Sequence, residues 1–185
     1  SQSTRVQPGQ RYALSAAGWT SKLGGSPVHP PPPAPPLASL TLVPLVDAQL
    51  SSRFHQTAFP ATATIDGDLA SVCASQKEAG AWLSAQMDRR AGVGHVSIYN
   101  RGDVLEYMAW LSPFEVYVGD GFGDFAIKCA GPVEVPTAAG PFSVWCNGMR
   151  GTHVTIRQVG RGRYLTIAEL LVTELAVPIG PPPPM

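Results

Sequence analysis

Where the prolines fall constrains this chain more than any other feature. There are 19 prolines in 185 residues, about twice ordinary usage. Seven lie in residues 27–36 (PVHPPPPAPP) and five in residues 178–184 (PIGPPPP). Everything between the tracts has ordinary proline content. Consecutive prolines lock φ at about −65° and remove backbone donors, so both tracts favour the extended polyproline II helix. At about 3.1 Å per residue the first tract would be a stiff rod of roughly 30 Å. It is either a plain spacer or a rod that is recognised or modified. Hydroxylation and glycosylation would fall on Pro30, Pro31, Pro32, Pro33, Pro35 and Pro36, and on Pro181, Pro182, Pro183 and Pro184. The expected organisation is an extension or disordered arm (1–26), a polyproline linker (27–36), one folded module (37–177) and a polyproline tail (178–185).

Charge narrows the partners. Lys and Arg total 13, Asp and Glu total 13, and the net charge is zero. Such a chain has no electrostatic reason to seek nucleic acid or an anionic membrane. No apolar run reaches the ~20 residues that a membrane-spanning helix needs, so membrane insertion is not expected. No charged segment followed by an apolar one marks the first residues as a secretory leader. The 44% hydrophobic content suffices for one packed core.

Between the tracts, short alternating runs recur with turn residues between them. Leu40–Val46 carries Pro44, so it reads as an edge or irregular strand. Gly94–Asn100 places Val96 and Ile98 on one face; Phe114–Val118 places Phe114, Val116 and Val118 together. Phe125–Cys129, Phe142–Cys146 and His153–Val159 repeat the period. The segments GDGFGD (119–124), AGP (130–132), AAGP (138–141) and NGMRG (147–151) read as turns. This spacing predicts an all-β sandwich. Tyr164–Leu175 reads as a final strand, Ala79–Met87 as a helical turn or another strand, and nothing else as helix.

Three cysteines leave one over. Cys129 and Cys146 end predicted strands, and a hairpin between them would bring them together, as a disulfide or as two buried thiols. Cys73 has no obvious partner: it is buried, free or bonded to another chain. The histidines, His29, His55, His95 and His153, have no zinc spacing. No nucleophile elbow, phosphate loop or EF-hand is present, so an enzyme is not expected. Arg101-Gly102-Asp103 spells an adhesion tripeptide that short chains contain by chance.

Four stretches nevertheless form an ordered pattern over about Leu40–Ala176. They are Leu45-Val46-Asp47-Ala48-Gln49-Leu50-Ser51-Ser52, then Ala63-Thr64-Ile65-Asp66-Gly67-Asp68, then Val96–Asp103 (VSIYNRGD), then Cys146–Ile156 (CNGMRGTHVTI) followed by Tyr164–Glu169 (YLTIAE). In order and spacing they resemble the fucolectin-type lectins, a branch of the discoidin-like (coagulation factor V/VIII type C) jelly rolls. The resemblance implies an antiparallel eight-stranded jelly-roll sandwich with loops clustered at one end.

It also implies a calcium ion there. The matching side chains are Asp66 and Glu169, with Asp68 and Ser71 at neighbouring ligand positions and carbonyls from Ala63 and Ala168. Hard oxygen ligands in a loop suit calcium; the alternative is an Asp-Gly turn beside a solvated glutamate. Sugar-binding members use a His, the Arg of an Arg-x-Asp motif and a second basic residue. Arg101 and Asp103 are retained, whereas the second basic position falls on Met108 and the His position near Ser75 or Gln76. Nearby Trp110 and Tyr107 offer a stacking face or core packing. Cys129 and Cys146 match a disulfide of the family. Cys73 matches half of another whose partner position is Ala168, which makes it a candidate for a bond between chains.

Two functions follow as expectations. One is an extracellular, calcium-stabilised carbohydrate-binding module whose partners are glycans or glycoproteins. The other is a structural module that docks onto other chains of an extracellular assembly, or onto glycosylated polyproline rods, without binding free sugar. Lectin-like modules joined by proline tracts resemble the hydroxyproline-rich matrix, cell-wall and ciliary-surface proteins of volvocine green algae.

Overall fold

The computed structural model describes residues 40–175 except Gln56. The extension at 1–26, both proline tracts and the candidate modified prolines lie outside the described residues. Pro44 has no N–H to give a ladder, and it divides the first run into β1 (Leu40–Val43) and β2 (Leu45–Leu50). There follow β3 (Cys73–Ala74), β4 (Trp82–Tyr99), β5 (Phe114–Gly119), β6 (Ile127–Val133), β7 (Phe142–Gln158), β8 (Thr166–Ile167) and β9 (Glu169–Leu175). Every ladder is antiparallel.

The two long strands make the sandwich. β4 shifts register against β7 between Gln86 and Ala91 and again between Val93 and His95. Before the shifts, β4 pairs with β2 and with the His153–Arg157 end of β7, which carries β5 and then β6. After them, β4 pairs with β9, which carries β1, and with the Phe142–Trp145 end of β7. The same two strands thus serve both layers. Side chains alternate inward from each: Val96, Ile98, Leu170 and Val172 from one layer, Leu83, Val116, Val118 and Ile156 from the other, all fully buried. The fold is an all-β sandwich, as the alternating runs predict, and a jelly roll, as the resemblance implies.

Several local expectations are corrected. NGMRG is not a turn. β7 runs through it because Asn147 and Gly148 take positive φ (51° and 73°), a kink that keeps the chain in the ladder. Gly151 sits against the backbone of Gly119, where a Cβ would collide, so the glycines of this segment serve close strand approach. AGP is not a turn either: Gly131 and Pro132 lie within β6, an outer strand of the sheet that tolerates a missing donor. Ala79–Met87 resolves as the start of β4. The final run breaks at Ala168 into β8 and β9, and with the break at Pro44 this gives nine named strands among the described residues where eight are expected. Short helices do occur, α1 (Leu105–Met108) and a 3-10 turn at Ala61–Thr64.

Cys129 and Cys146 form a disulfide. The two strands that carry them do not pair with each other, because β6 lies on β5. The bond joins β6, at the margin of one layer, to the β7 segment that borders the other, and so closes one side of the sandwich. Cys73 is corrected as a thiol for another chain. It lies in β3 opposite Ile167 with no exposed surface, and burial pushes its thiol up to about 12.

Candidate functional site

Two clusters gather at the loop end, where β4 and β8 finish and β9 begins. The first lies between the 3-10 turn and β3. Gly67 has φ 78°, which lets Asp66-Gly67 turn sharply and bring the loop back over β9. The Gly67 N–H donates to Glu169 Oε2 at 2.9 Å. The Ser71 hydroxyl lies within hydrogen-bond distance of the Ala63 carbonyl (3.0 Å), both Asp66 carboxylate oxygens (2.8 and 3.1 Å) and the Asp68 carbonyl (3.0 Å). One hydroxyl proton cannot serve four acceptors. The cluster therefore holds surplus oxygen lone pairs, the donor set a hard cation prefers.

Glu169 is 5% exposed, and burial raises its carboxyl above the ordinary range, with the Asp66 charge adding to the shift against the Gly67 and Leu170 hydrogen bonds. Asp66, Ser71 and the Ala63 carbonyl are thus brought together, with Glu169 joined through Gly67. Asp68 contributes its carbonyl, since its carboxylate accepts from the Ala70 N–H. Ala168 lies at the β8–β9 break, its N–H donating to the Tyr99 carbonyl. Among the described residues no group of three or more Asp, Glu, His or Cys side chains is placed to hold a metal. A cation here would depend on carbonyl and hydroxyl oxygens for much of its shell.

The second cluster is a cleft of about 330 Å³. Arg101, immediately beyond β4, forms its charged wall. The guanidinium is nearly buried and holds Asp103 in a bidentate pair, Nε to Oδ1 and Nη2 to Oδ2, both 2.6 Å. Its carbon lies 4.5 Å from the centre of the Tyr107 ring, a cation–π distance. The pair holds the Asp103 carboxyl down at about 2, through the hydrogen bonds from Arg101 first. From Tyr107 the aromatic rings run on in sequence. Tyr107 to Trp110 is 4.5 Å between centroids, Trp110 to Tyr164 4.9 Å, Tyr164 to Phe54 5.4 Å and Phe54 to Phe59 6.0 Å. The Trp110 carbonyl accepts from Arg163 Nε (2.7 Å) and Gln158 Nε2 (2.8 Å), which fixes the centre of this ladder to β7.

The sequence-predicted pair Arg101 and Asp103 is therefore together, and Tyr107 and Trp110 stand in the cleft wall. Ser75 does not take the place of an imidazole. It is buried, accepting from the Leu165 N–H and donating to the Gln76 carbonyl. Phe54 and Phe59 carry no site signal in the sequence, each being a lone aromatic between strands, and Tyr164 reads there only as the start of a strand. Phe59 carries a signal only in three dimensions: φ is 62°, strained for a bulky residue. Such strain costs about 1–3 kcal/mol and concentrates at functional sites.

No protein-family model matches the chain, and no curated protein sequence does. Its fold is similar to solved structures of sugar-binding modules. A serum f-lectin (fucolectin) of striped bass, Morone saxatilis, superposes with a TM-score of 0.62 at 26% identity, over 71% of this chain and 46% of that one. The chain thus spans less than half of that lectin's length. The lectin domain of lectinolysin, solved with Lewis b antigen, gives 0.62 at 23% over 70% and 93%. A family 32 carbohydrate-binding module of Clostridium perfringens, solved with galactose, gives 0.58 at 16% over 74% and 100%. These are binding modules and not catalytic domains, in agreement with the expectation that the chain is not an enzyme.

Proposed function

We propose that this jelly roll is an extracellular glycan-binding module of a proline-rich surface or matrix glycoprotein, with the cleft headed by Arg101 as its sugar site. The observation that carries the reading is a nearly buried guanidinium beside a wall of aromatic rings. Sugars are bound by hydrogen bonds to their hydroxyls and by apolar faces laid on aromatic rings, and the cleft offers both. The oxidised Cys129–Cys146 bridge supports an extracellular setting. A glycan array probed with the full chain, with and without chelator, tests the reading. Saturable binding of a fucose- or galactose-bearing glycan that weakens on chelation supports it; silence across the array overturns it.

We further propose calcium at the Asp66 loop, held by Asp66, Glu169, Ser71 and the Ala63, Asp68 and Ala168 carbonyls. The ion would offset the charges of Asp66 and the buried Glu169 and tie the loop to β9. Calcium at a hundred times its Kd should stabilise the chain by about 2.7 kcal/mol, a Tm rise on the order of 5–10 °C. Glu169→Gln keeps an acceptor for Gly67 and removes the charge, so the variant should lose that rise. An identical Tm for the native chain with and without calcium would sink the assignment.

A further inference from the structure

We propose that the aromatic cleft also seats a polyproline strand, residues 27–36 of a second copy of this chain. The inference takes the reading of this cleft as a binding site one step further, by naming a partner for it.

The ladder Tyr107–Trp110–Tyr164–Phe54–Phe59 is the first reason. It has more rings than a single pyranose can stack on. Polyproline II advances about 3.1 Å per residue and presents ring faces on a helix that needs no ordering, and aromatic-lined grooves are the surfaces that dock it. The strained Phe59 extends this ladder to the far end of the cleft from Arg101.

Hydrogen-bond chemistry is the second reason. A polyproline backbone has carbonyl acceptors and no donors. The polar groups along the cleft are donors or hydroxyls: Arg101, Tyr107, Trp110, Tyr164 and Thr166, with no carboxylate among the lining residues. Asp103 takes only two of the five N–H groups of Arg101. Thr166 is 1% exposed, and its hydroxyl has no partner among the described residues. A buried hydroxyl left without a partner is costly, and a proline carbonyl in the cleft would accept from it.

Chain geometry selects a second copy. Leu40 pairs with Leu175, at the end of the layer opposite to Tyr99 and Arg101. The distance along β4 from Gly94 to Tyr99 is roughly 17 Å. β1 runs toward the cleft end, so the described chain begins at the end away from it. Only Leu37, Ala38 and Ser39 separate Leu40 from the first tract, and four peptide steps span at most about 14 Å, less than that distance, whereas the tract of a second copy approaches without this tether.

The test is calorimetric titration of the full chain with a capped peptide of residues 27–36, beside sedimentation velocity of the chain alone. The expected results are saturable binding, none for the peptide carrying alanine at positions 30–33, and self-association that rises with concentration. Trp110→Ala should weaken peptide binding at least about tenfold and leave the chain monomeric. Phe59→Gly, which relieves the positive φ and so preserves folding, should weaken binding in the same direction. A chain that stays monomeric and ignores the peptide overturns the proposal, which is also the outcome if its own tract fills the cleft. Equal binding of the alanine peptide, or binding unchanged in both variants, overturns it too. Free fucose and galactose are titrated in parallel. Sugar binding without peptide binding removes this inference and leaves the glycan reading standing; peptide binding without sugar binding does the reverse.

Discussion

Arg101→Met should weaken glycan binding by at least about 30-fold while moving Tm by only a few degrees. Truncating one partner of a buried, hydrogen-bonded charge contact costs 2–5 kcal/mol or more of binding, and about 1.4 kcal/mol is tenfold. Stability is spared because methionine fills the volume of the guanidinium stem, and Asp103, whose side chain is 58% exposed, returns to water. Asp103→Asn is the opposite case. It leaves the nearly buried guanidinium without its counter-charge, so the fold weakens while the donor remains. The loss is about 1 kcal/mol, since the carboxylate is largely solvated. Its pH dependence has a definite sign. The folded carboxyl titrates at about 2, below an unfolded value of about 3.9. The contribution of the pair is therefore fully present above about pH 4 and is lost as pH falls through about 2. Thermal melts from pH 7 to pH 2 should show the gap between native chain and Asp103→Asn closing in that window. A gap that stays constant would remove the ion pair as its cause.

Replacing Cys129 and Cys146 together by alanine should cost about 3 kcal/mol, from the loop-closure entropy of a bond spanning 17 positions. Tm should drop on the order of 10 °C. The position of the bond argues for the full effect, since it clasps the margins of two layers whose strands do not pair there. Reductant should bring the native chain down to the level of the double variant and leave the variant unchanged. Cys73 should play no part, so non-reducing electrophoresis should show one chain, with no disulfide-linked dimer.

The parts legible in the sequence are those where one side-chain period decides burial. Phe114, Val116 and Val118 were read as one face, and all are fully buried; Val96 and Ile98 likewise. Chain breaks were legible where chemistry forbids a ladder, as at Pro44. Continuity was not. Asn147-Gly148 looks like a turn because positive φ usually reverses a chain, and only the long-range partners of β7, Val93 through Ile98, hold it straight. The candidate site divides in the same way. Arg101, Asp103, Asp66 and Glu169 stand in short motifs, with Ser71 three residues beyond one of them, so order along the chain makes them candidates. Phe54, Phe59 and Tyr164 meet only because β3 pairs with β8 and brings distant loops together, which no local pattern encodes. For Cys73 the sequence leaves burial, a free thiol and a bond to another chain open, because its burial depends on a two-residue ladder invisible in one dimension.

The pairing of Leu40 with Leu175 sets how the module responds to pulling. Its first and last described strands are antiparallel neighbours, four paired positions long, with entry and exit side by side. The folded part is therefore a loop hung from one point, and it adds almost nothing to the end-to-end length of the chain that carries it. Tension between the two flanks does not shear β1 along β9. It opens the ladder like a zipper, one pair at a time from Leu40–Leu175 inward, so load is met by single rungs. Peeling β1 away in this manner releases slack at low force, while the loop end, at the far side of the layer, stays folded.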